Sequence, residues 1–227
     1  MLRQPVPNWI LLGGFLLAAI AGCVNAVGFL GIHHQALSHM SGTVAILSTD
    51  LGRGHFGAAM HAAGVLLCFF LGCVVSGLVI RQSTLKLGRR YGAALAIESG
   101  LLFAAVYFYH GGSNYGDYLA AMACGLQNAL ATTYSGAVIR TTHVTGIVTD
   151  LGIVAGNFIR REPVETRRLG LMLVLLAGFL AGGILGGFGY MHWGFATLLL
   201  PAALTGLTGL GYVTYRHLRH VPVTPAR

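Results

Sequence analysis

Hydrophobic residues in this chain do not alternate with polar ones; they run together in long blocks separated by short clusters of charge. Six blocks reach the roughly 20 apolar residues that a helix needs to cross a hydrocarbon core about 30 Å thick. They cover residues 9–30, 56–80, 91–109, 116–136, 169–190 and 194–215. Aromatic residues mark many of the ends, among them Trp9, Tyr91, Tyr109, Tyr115, Tyr190 and Trp193, as an interfacial belt requires. Two more apolar pieces, 41–53 and 145–158, are too short, since as helices they reach only about 20 Å. The pattern predicts an all-α integral membrane protein with one membrane domain over residues 1–227.

Composition excludes the other classes. Lys and Arg number 14 and Asp and Glu 6, so 9% of the 227 residues are charged, while 55% are hydrophobic and the mean hydropathy is +0.72. A soluble domain carries about 25% charged residues, and this chain cannot cover a globule with polar surface. The net charge of +8 does not indicate nucleic acid, because the basic residues lie in clusters between apolar blocks. The bilayer is the expected partner.

Charge also decides how the two short pieces behave. With six crossings and both termini inside, Arg3, Arg81, Lys86, Arg89, Arg90, Arg140, Arg160, Arg161, Arg167, Arg168, Arg216, Arg219 and Arg227 lie inside, and only Arg53 lies outside. If both short pieces cross, Arg81, Lys86, Arg89, Arg90 and Arg140 move outside. Excess positive charge belongs on the cytoplasmic side, so the expectation is six transmembrane helices plus two re-entrant half-helices. The N-terminal run ending in Ile20-Ala21-Gly22-Cys23 also has the outline of a lipoprotein signal. That reading is disfavoured, because cleavage would remove a helix with a counterpart in the second half. Cys68, Cys73 and Cys124 fall inside spans and read as small buried residues.

The counterpart emerges from self-comparison. Gly22-Cys23-Val24-Asn25-Ala26 and Gly125-Leu126-Gln127-Asn128-Ala129 both read Gly-x-x-Asn-Ala. His39-Met40-Ser41-Gly42 and His143-Val144-Thr145-Gly146 both read His-x-Ser/Thr-Gly, at nearly the same separation. Each half is then one span, a re-entrant piece and two spans, with repeats over about 9–109 and 116–215. An odd number of crossings inserts the second half upside down, which is the inverted-repeat plan of many transporters.

These motifs, with Thr141-Thr142 before His143, resemble the YoaK-like family of bacterial inner-membrane proteins of unknown function. The resemblance covers nearly the whole chain and implies about six spans in the inner membrane, without naming a substrate. The family's first motif often reads Asp-Ala, whereas this chain has Asn25-Ala26, an amide with no titratable proton.

Ser41 and Thr145 are the expected helix N-caps, each followed by Gly42 or Gly146. The residues before them should dip into the membrane and leave two helix starts near mid-depth. Such starts attract anions and the electronegative atoms of polar solutes. His39 and His143 either take part in that or satisfy backbone freed by the breaks. Asn25, Asn128 and Gln127 either contact a solute or brace the re-entrant loops.

Among the acids, Glu98 stands out. It lies well inside the third span without a basic neighbour, so it should face the bundle interior, with His61 as an expected partner. Asp117 reads as an outer helix end. Thr49-Asp50-Leu51-Gly52 recurs as Thr149-Asp150-Leu151-Gly152, which places Asp150 in a first helical turn and Asp50 beside Arg53. Glu98, Asp150, Asp50 and His61 are the candidates for coupling ion or proton movement.

Gly178, Gly182 and Gly186, like Gly14, Ala18, Gly22 and Ala26, form stripes on which helices pack, within one chain or between copies in a homo-oligomer. Nucleotide loops, nucleophile elbows and paired His/Cys metal spacings are missing, so the reading has no catalytic residue, metal or cofactor. The function expected is a secondary transporter or channel for a small polar or anionic solute, and the alternative is a non-transporting accessory protein. A reporter fused at Gly112 should read as external; a cytoplasmic signal there would refute the six-span topology.

Overall fold

The computed structural model describes residues 8–80, 89–134 and 141–218, which are helical with no strand. The helices are α1 (Asn8–Leu30), α2 (Met40–Gly52), α3 (Phe56–Val79), α4 (Arg89–His110), α5 (Tyr115–Tyr134), α6 (Val144–Ile159), α7 (Thr166–Trp193) and α8 (Leu199–Leu218). A short 3-10 turn, Gly194–Leu198, joins the last two, so the final helix starts five residues later than its apolar block. Four stretches are long and apolar enough to cross a membrane: Ile10–Leu30, Phe56–Val79, Arg90–His110 and Thr166–Thr214, the last covering α7 and α8. Val144–Ile159 is apolar but shorter. Helix α5 has the length to cross but carries Asp117, Gln127 and Asn128. Arg3, Arg81, Lys86, Arg140, Arg219 and Arg227, which weigh most in the charge split, lie outside the described residues, as does the segment 135–140.

Two close crossings of parallel helices organise the bundle, beside an antiparallel one of α4 and α8 at Gly92 and Gly209. Small residues let backbones approach where lipid offers no hydrophobic drive to pack. On α7, a methyl group added at Gly178, Gly182 or Gly186 would fall 2.6 Å from the Phe15 carbonyl, 1.9 Å from the Ala19 carbonyl and 2.8 Å from the Cys23 backbone of α1. The order of these contacts makes α1 and α7 parallel. Helices α3 and α5 cross in the same way, with Gly72 against the Met122 carbonyl and Gly125 against the Phe69 carbonyl, each 2.0 Å from an added methyl. Gly22 on the Phe179 carbonyl is matched by Gly125 on that of Phe69, and Gly182 on Ala19 by Gly72 on Met122. The glycine stripe of α7 is therefore spent on α1 within one chain, and a second copy would have to use another face.

Core clusters give the helix directions. One cluster gathers Val24 and Val27 late in α1, Val106 and Tyr109 late in α4, Val65 early in α3, Ala120 early in α5 and Ala202 early in α8. A second joins Ile10 and Ala18 of α1 to Leu171 and Leu175 early in α7 and Ala131 late in α5. A third joins Ala94 and Leu95 early in α4 to Leu126 and Leu130 of α5, with Val75 and Val79 late in α3. Helices α1, α4 and α7 thus point toward one end, here called upper, and α3, α5 and α8 toward the other. Outward-facing Leu12, Leu67, Phe70, Leu78, Leu180, Ile184 and Leu207 are exposed, as lipid-facing positions are.

At the crossings a side chain has no room. Gly125→Ala should lower stability by about 1–3 kcal/mol, the usual cost of overpacking, whereas Gly100→Ala, with nothing within 4 Å, should be neutral or mildly stabilising. Thermal melts in detergent check this, and equal melting of the two variants would refute the close crossing.

Candidate functional site

The first break is built around Asn25. Its carboxamide donates to the Ala21 carbonyl at 2.9 Å and to the Ser38 hydroxyl, and its oxygen accepts from the Ser38 backbone N–H at 3.0 Å. Asn25 sits five residues before the end of α1, about 7 Å below it, so the loop after Leu30 folds back down alongside the helix. Gly28 makes room for it: an added methyl would lie 2.6 Å from Leu37 and 2.9 Å from the Gln35 carbonyl. Gln35, Leu37 and Ser38 are buried. Asn25 is thus a brace for the loop. In the second half, Asn128 Oδ1 and Thr141 Oγ1 find no hydrogen-bond partner among the described residues, and the loop's first part, 135–140, lies outside them. Gln127 is buried, with Nε2 also unpartnered among the described residues.

The helix N-caps lie two residues before the expected ones. Helices α2 and α6 begin at Met40 and Val144, and the N-cap residues are His39 and His143, neither making a side-chain cap bond. Ser41 and Thr145 stand in the first turn and are exposed. The imidazoles instead fold over that turn. A methyl at Gly42 would lie 3.1 Å from His39 Nδ1, and one at Gly146 only 2.1 Å from His143 Nε2. The Gly of His-x-Ser/Thr-Gly is therefore the space its histidine occupies. The N–H groups of the first turn have no partner within the helix, and the polar groups around them, His39, Ser41, His143 and Thr145, are left uncovered by the rest of the chain.

The acids divide differently from the sequence reading. Asp150 lies in the second turn of α6, not the first, and pairs with Arg168 of α7 at 2.6 Å. The reason is that α6 starts at Val144 and its end lies beside the start of α7. Asp50 sits 3.6 Å from His55, just before α3. Glu98 is buried as expected, 2% exposed, and its Oε2 has no partner among the described residues. Cys124 of α5 lies within its electrostatic reach.

His61 does not face Glu98. It lies one turn into α3, at the upper end, 3.1 Å from Asp117. Asp117, expected at an outer helix end, is only 4% exposed and sits at the centre of a cluster. Its Oδ2 is 2.8 Å from His33 Nδ1 and 3.1 Å from His61 Nε2, and its Oδ1 accepts a 2.5 Å bond from the Tyr109 hydroxyl. His33 and His61 stack with ring centroids 3.8 Å apart, and His61 Nδ1 lies 3.2 Å from the Tyr118 hydroxyl. Tyr109 is itself fixed by stacking on Phe195 at 3.9 Å. A shallow cleft lined by Gly112, Ser113, Asn114, Tyr115 and Tyr118 adjoins the cluster. One donor atom from each of His33, His61 and Asp117 lies within 4.8 Å of the others, a grouping able to hold a metal. Residues this far apart in sequence carry no spacing signal, and so no metal site is legible there.

The comparisons with known proteins agree on what kind of protein this is. A family model described as "Protein of unknown function (DUF1275)" matches residues 13–211. The chain belongs to this DUF1275 family. It is also similar to the UPF0700 transmembrane protein YoaK of Bacillus subtilis (strain 168), at 26% identity over 141 residues. That match covers 60% of this chain and 63% of YoaK, so it spans less than two thirds of that relative's length. No solved structure matches. The resemblance read from the Asn-Ala and His-x-Ser/Thr-Gly motifs is thereby supported at the level of the family, and this DUF1275 protein is a multi-pass membrane protein.

Asn25 gives the clearest test of the break. Asn25→Ala leaves the Ser38 N–H and hydroxyl buried without their partner, which should cost about 1–3 kcal/mol. A thermal melt in detergent matching the wild type would show that the loop is held by something else.

Proposed function

We propose that this DUF1275 protein is a secondary transporter or channel for a small polar or anionic solute, with its pathway between the starts of α2 and α6. The observation that carries the reading is the pair of helix starts with uncovered polar groups. Helix α2 begins with Met40 against the upper core cluster and ends at Gly52, four residues before the start of α3, which is also upper. Helix α6 begins with Ile147 in the lower cluster and ends near the lower start of α7. Neither short helix reverses the direction of its neighbours: α1 and α3 are antiparallel, as are α5 and α7. Six crossing helices and two re-entrant ones are the arrangement this supports.

The matched crossings support two inverted repeats. Exchanging α1 for α5 and α3 for α7 converts one set of glycine contacts into the other. Positions 22 and 125, and 19 and 122, stand 103 apart, while 69 and 179, and 72 and 182, stand 110 apart. Opposed repeats with broken helices place two positively polarised helix starts on either side of a membrane. His39, Ser41 and Gly42, with His143, Thr145 and Gly146, would meet the solute; Asn25, Gln127 and Asn128 would support them. Glu98 is the handle for a coupled proton or cation, because an ionisable group in the bilayer interior is costly to keep without a role. Asp150 and Asp50 rank below it, being ion-paired or near a histidine at the ends of their helices. The lower end carries Arg90, Arg160, Arg161, Arg167 and Arg168, and so takes the cytoplasmic side of the inner membrane.

The alternative, an accessory protein without transport, draws on the slight packing of α6, which among the described residues touches only α7 to any extent. A partner would then cover its exposed polar face. Reconstitution into proteoliposomes separates the two. With anions, amines and sugars as trial solutes, His143→Ala and Glu98→Gln should each lower flux at least about tenfold, an energy of about 1.4 kcal/mol, without lowering the melting temperature. Wild-type flux in both variants would refute these roles, and no flux for any solute would favour the accessory reading.

A further inference from the structure

We propose that His33, His61 and Asp117 form a binding site for a divalent transition-metal ion of the Zn2+ class at the upper end of the bundle. Three features lead there. The donor set is two imidazoles and one carboxylate, the mixture that suits Zn2+ and its borderline-soft neighbours rather than Mg2+ or Ca2+. The three donor atoms already converge. Oδ2 of Asp117 lies 2.8 Å from His33 Nδ1 and 3.1 Å from His61 Nε2. Ligands of a tetrahedral ion with bonds of about 2.0–2.1 Å stand roughly 3.3 Å apart, so the two Asp117–His pairs have to open by only a few tenths of an ångström.

The third feature is His61 itself. Its side chain is 8% exposed, and Nε2 has no aligned hydrogen bond although Asp117 is 3.1 Å away. The nitrogen is thus close to the carboxylate without a hydrogen bond to it. A buried polar atom left in that state is costly, and an ion between the groups removes the cost.

The surroundings fit the same role. Groups that ligate metals are oriented by outer partners. His61 Nδ1 faces the Tyr118 hydroxyl at 3.2 Å, which leaves Nε2 for the ion. Tyr109, clamped on Phe195, donates to the other oxygen of Asp117 and fixes the carboxylate's rotation. The ring of His33 is 28% exposed, so the site opens on one side, where water or a solute atom can take the fourth position. The ion would tie the loop after α1 to α3 and α5. It does not depend on the chain moving a solute.

The test is metal binding by the full-length protein in detergent after treatment with chelator, with Zn2+ followed by calorimetry and Co2+ by its visible absorption. One ion per chain is expected, with a tetrahedral Co2+ spectrum and a melting temperature that rises with Zn2+. His61→Ala and Asp117→Asn should each weaken binding at least about tenfold. His33→Gln, on a loop and partly exposed, should do the same with the fold preserved. His55→Ala and His110→Ala, on exposed upper histidines, should leave the affinity unchanged. Absence of stoichiometric Zn2+ binding at micromolar concentration would overturn the proposal, as would wild-type affinity in folded His33→Gln and His61→Ala.

Discussion

The structure depends on the close approach of parallel helices from opposite halves of the chain, α1 with α7 and α3 with α5. Neither pair is adjacent in sequence, and neither could meet if the contact residues carried side chains. In lipid, helices gain by dispersion contact and shape rather than by hiding apolar surface, so glycines at the crossing set both the distance and the register. Other features follow from that register. Gly22 and Asn25 are three residues apart on α1: the first fixes where α7 passes, and the second, one turn on, holds the returning loop at Ser38. One short motif therefore couples the bundle's packing to the position of its break.

The break itself answers a demand of the solvent. Backbone groups released in a membrane must be satisfied by the protein or by a water-lined cavity. The first half meets the demand with Asn25 and with a loop packed into the upper core through Leu37. At the helix starts the histidines lie over the first turn, in space that Gly42 and Gly146 leave open. An alanine at Gly146 would push the His143 ring off the turn, and one at Gly42 would shift the His39 ring by a few tenths of an ångström.

Much of this was legible in the sequence because it rests on local chemistry. Block lengths gave the ends of α1 and α3 to within a residue or so, and the Asn and His motifs pointed to the first break. What the sequence could not carry was the pairing of distant side chains. His61 was matched to Glu98 because both are ionisable and inside spans, yet His61 lies near the start of α3, level with the start of α5, while Glu98 lies at the depth of Cys124. Asp117 reads as an outer helix end from its place at the start of the fourth block. Only the α3–α5 crossing brings His61 over it, and only the returning loop brings His33. The N-caps lie two residues earlier than the hydroxyls, at His39 and His143, whose imidazoles fold over the first turn in the space left by Gly42 and Gly146.

Comparing the two glycine crossings also separates the polar residues. In the register that relates the two crossings, the counterpart of Asn25 is Asn128 and that of Gly22 is Gly125, and such shared features serve the common scaffold. The counterpart of His61 is Leu171, however, and that of Asp117 is Gly14. A scaffold that needed a buried polar cluster for its own stability would need it at both ends, since the crossings are alike. The lower end instead holds the apolar cluster of Ile10, Leu171 and Leu175. Replacing a buried ionic group by apolar packing is often neutral or stabilising, so the lower end is the less costly solution to the same geometry. The upper cluster is thus held for something other than packing, and its three converging donors make a ligand the simplest account of it.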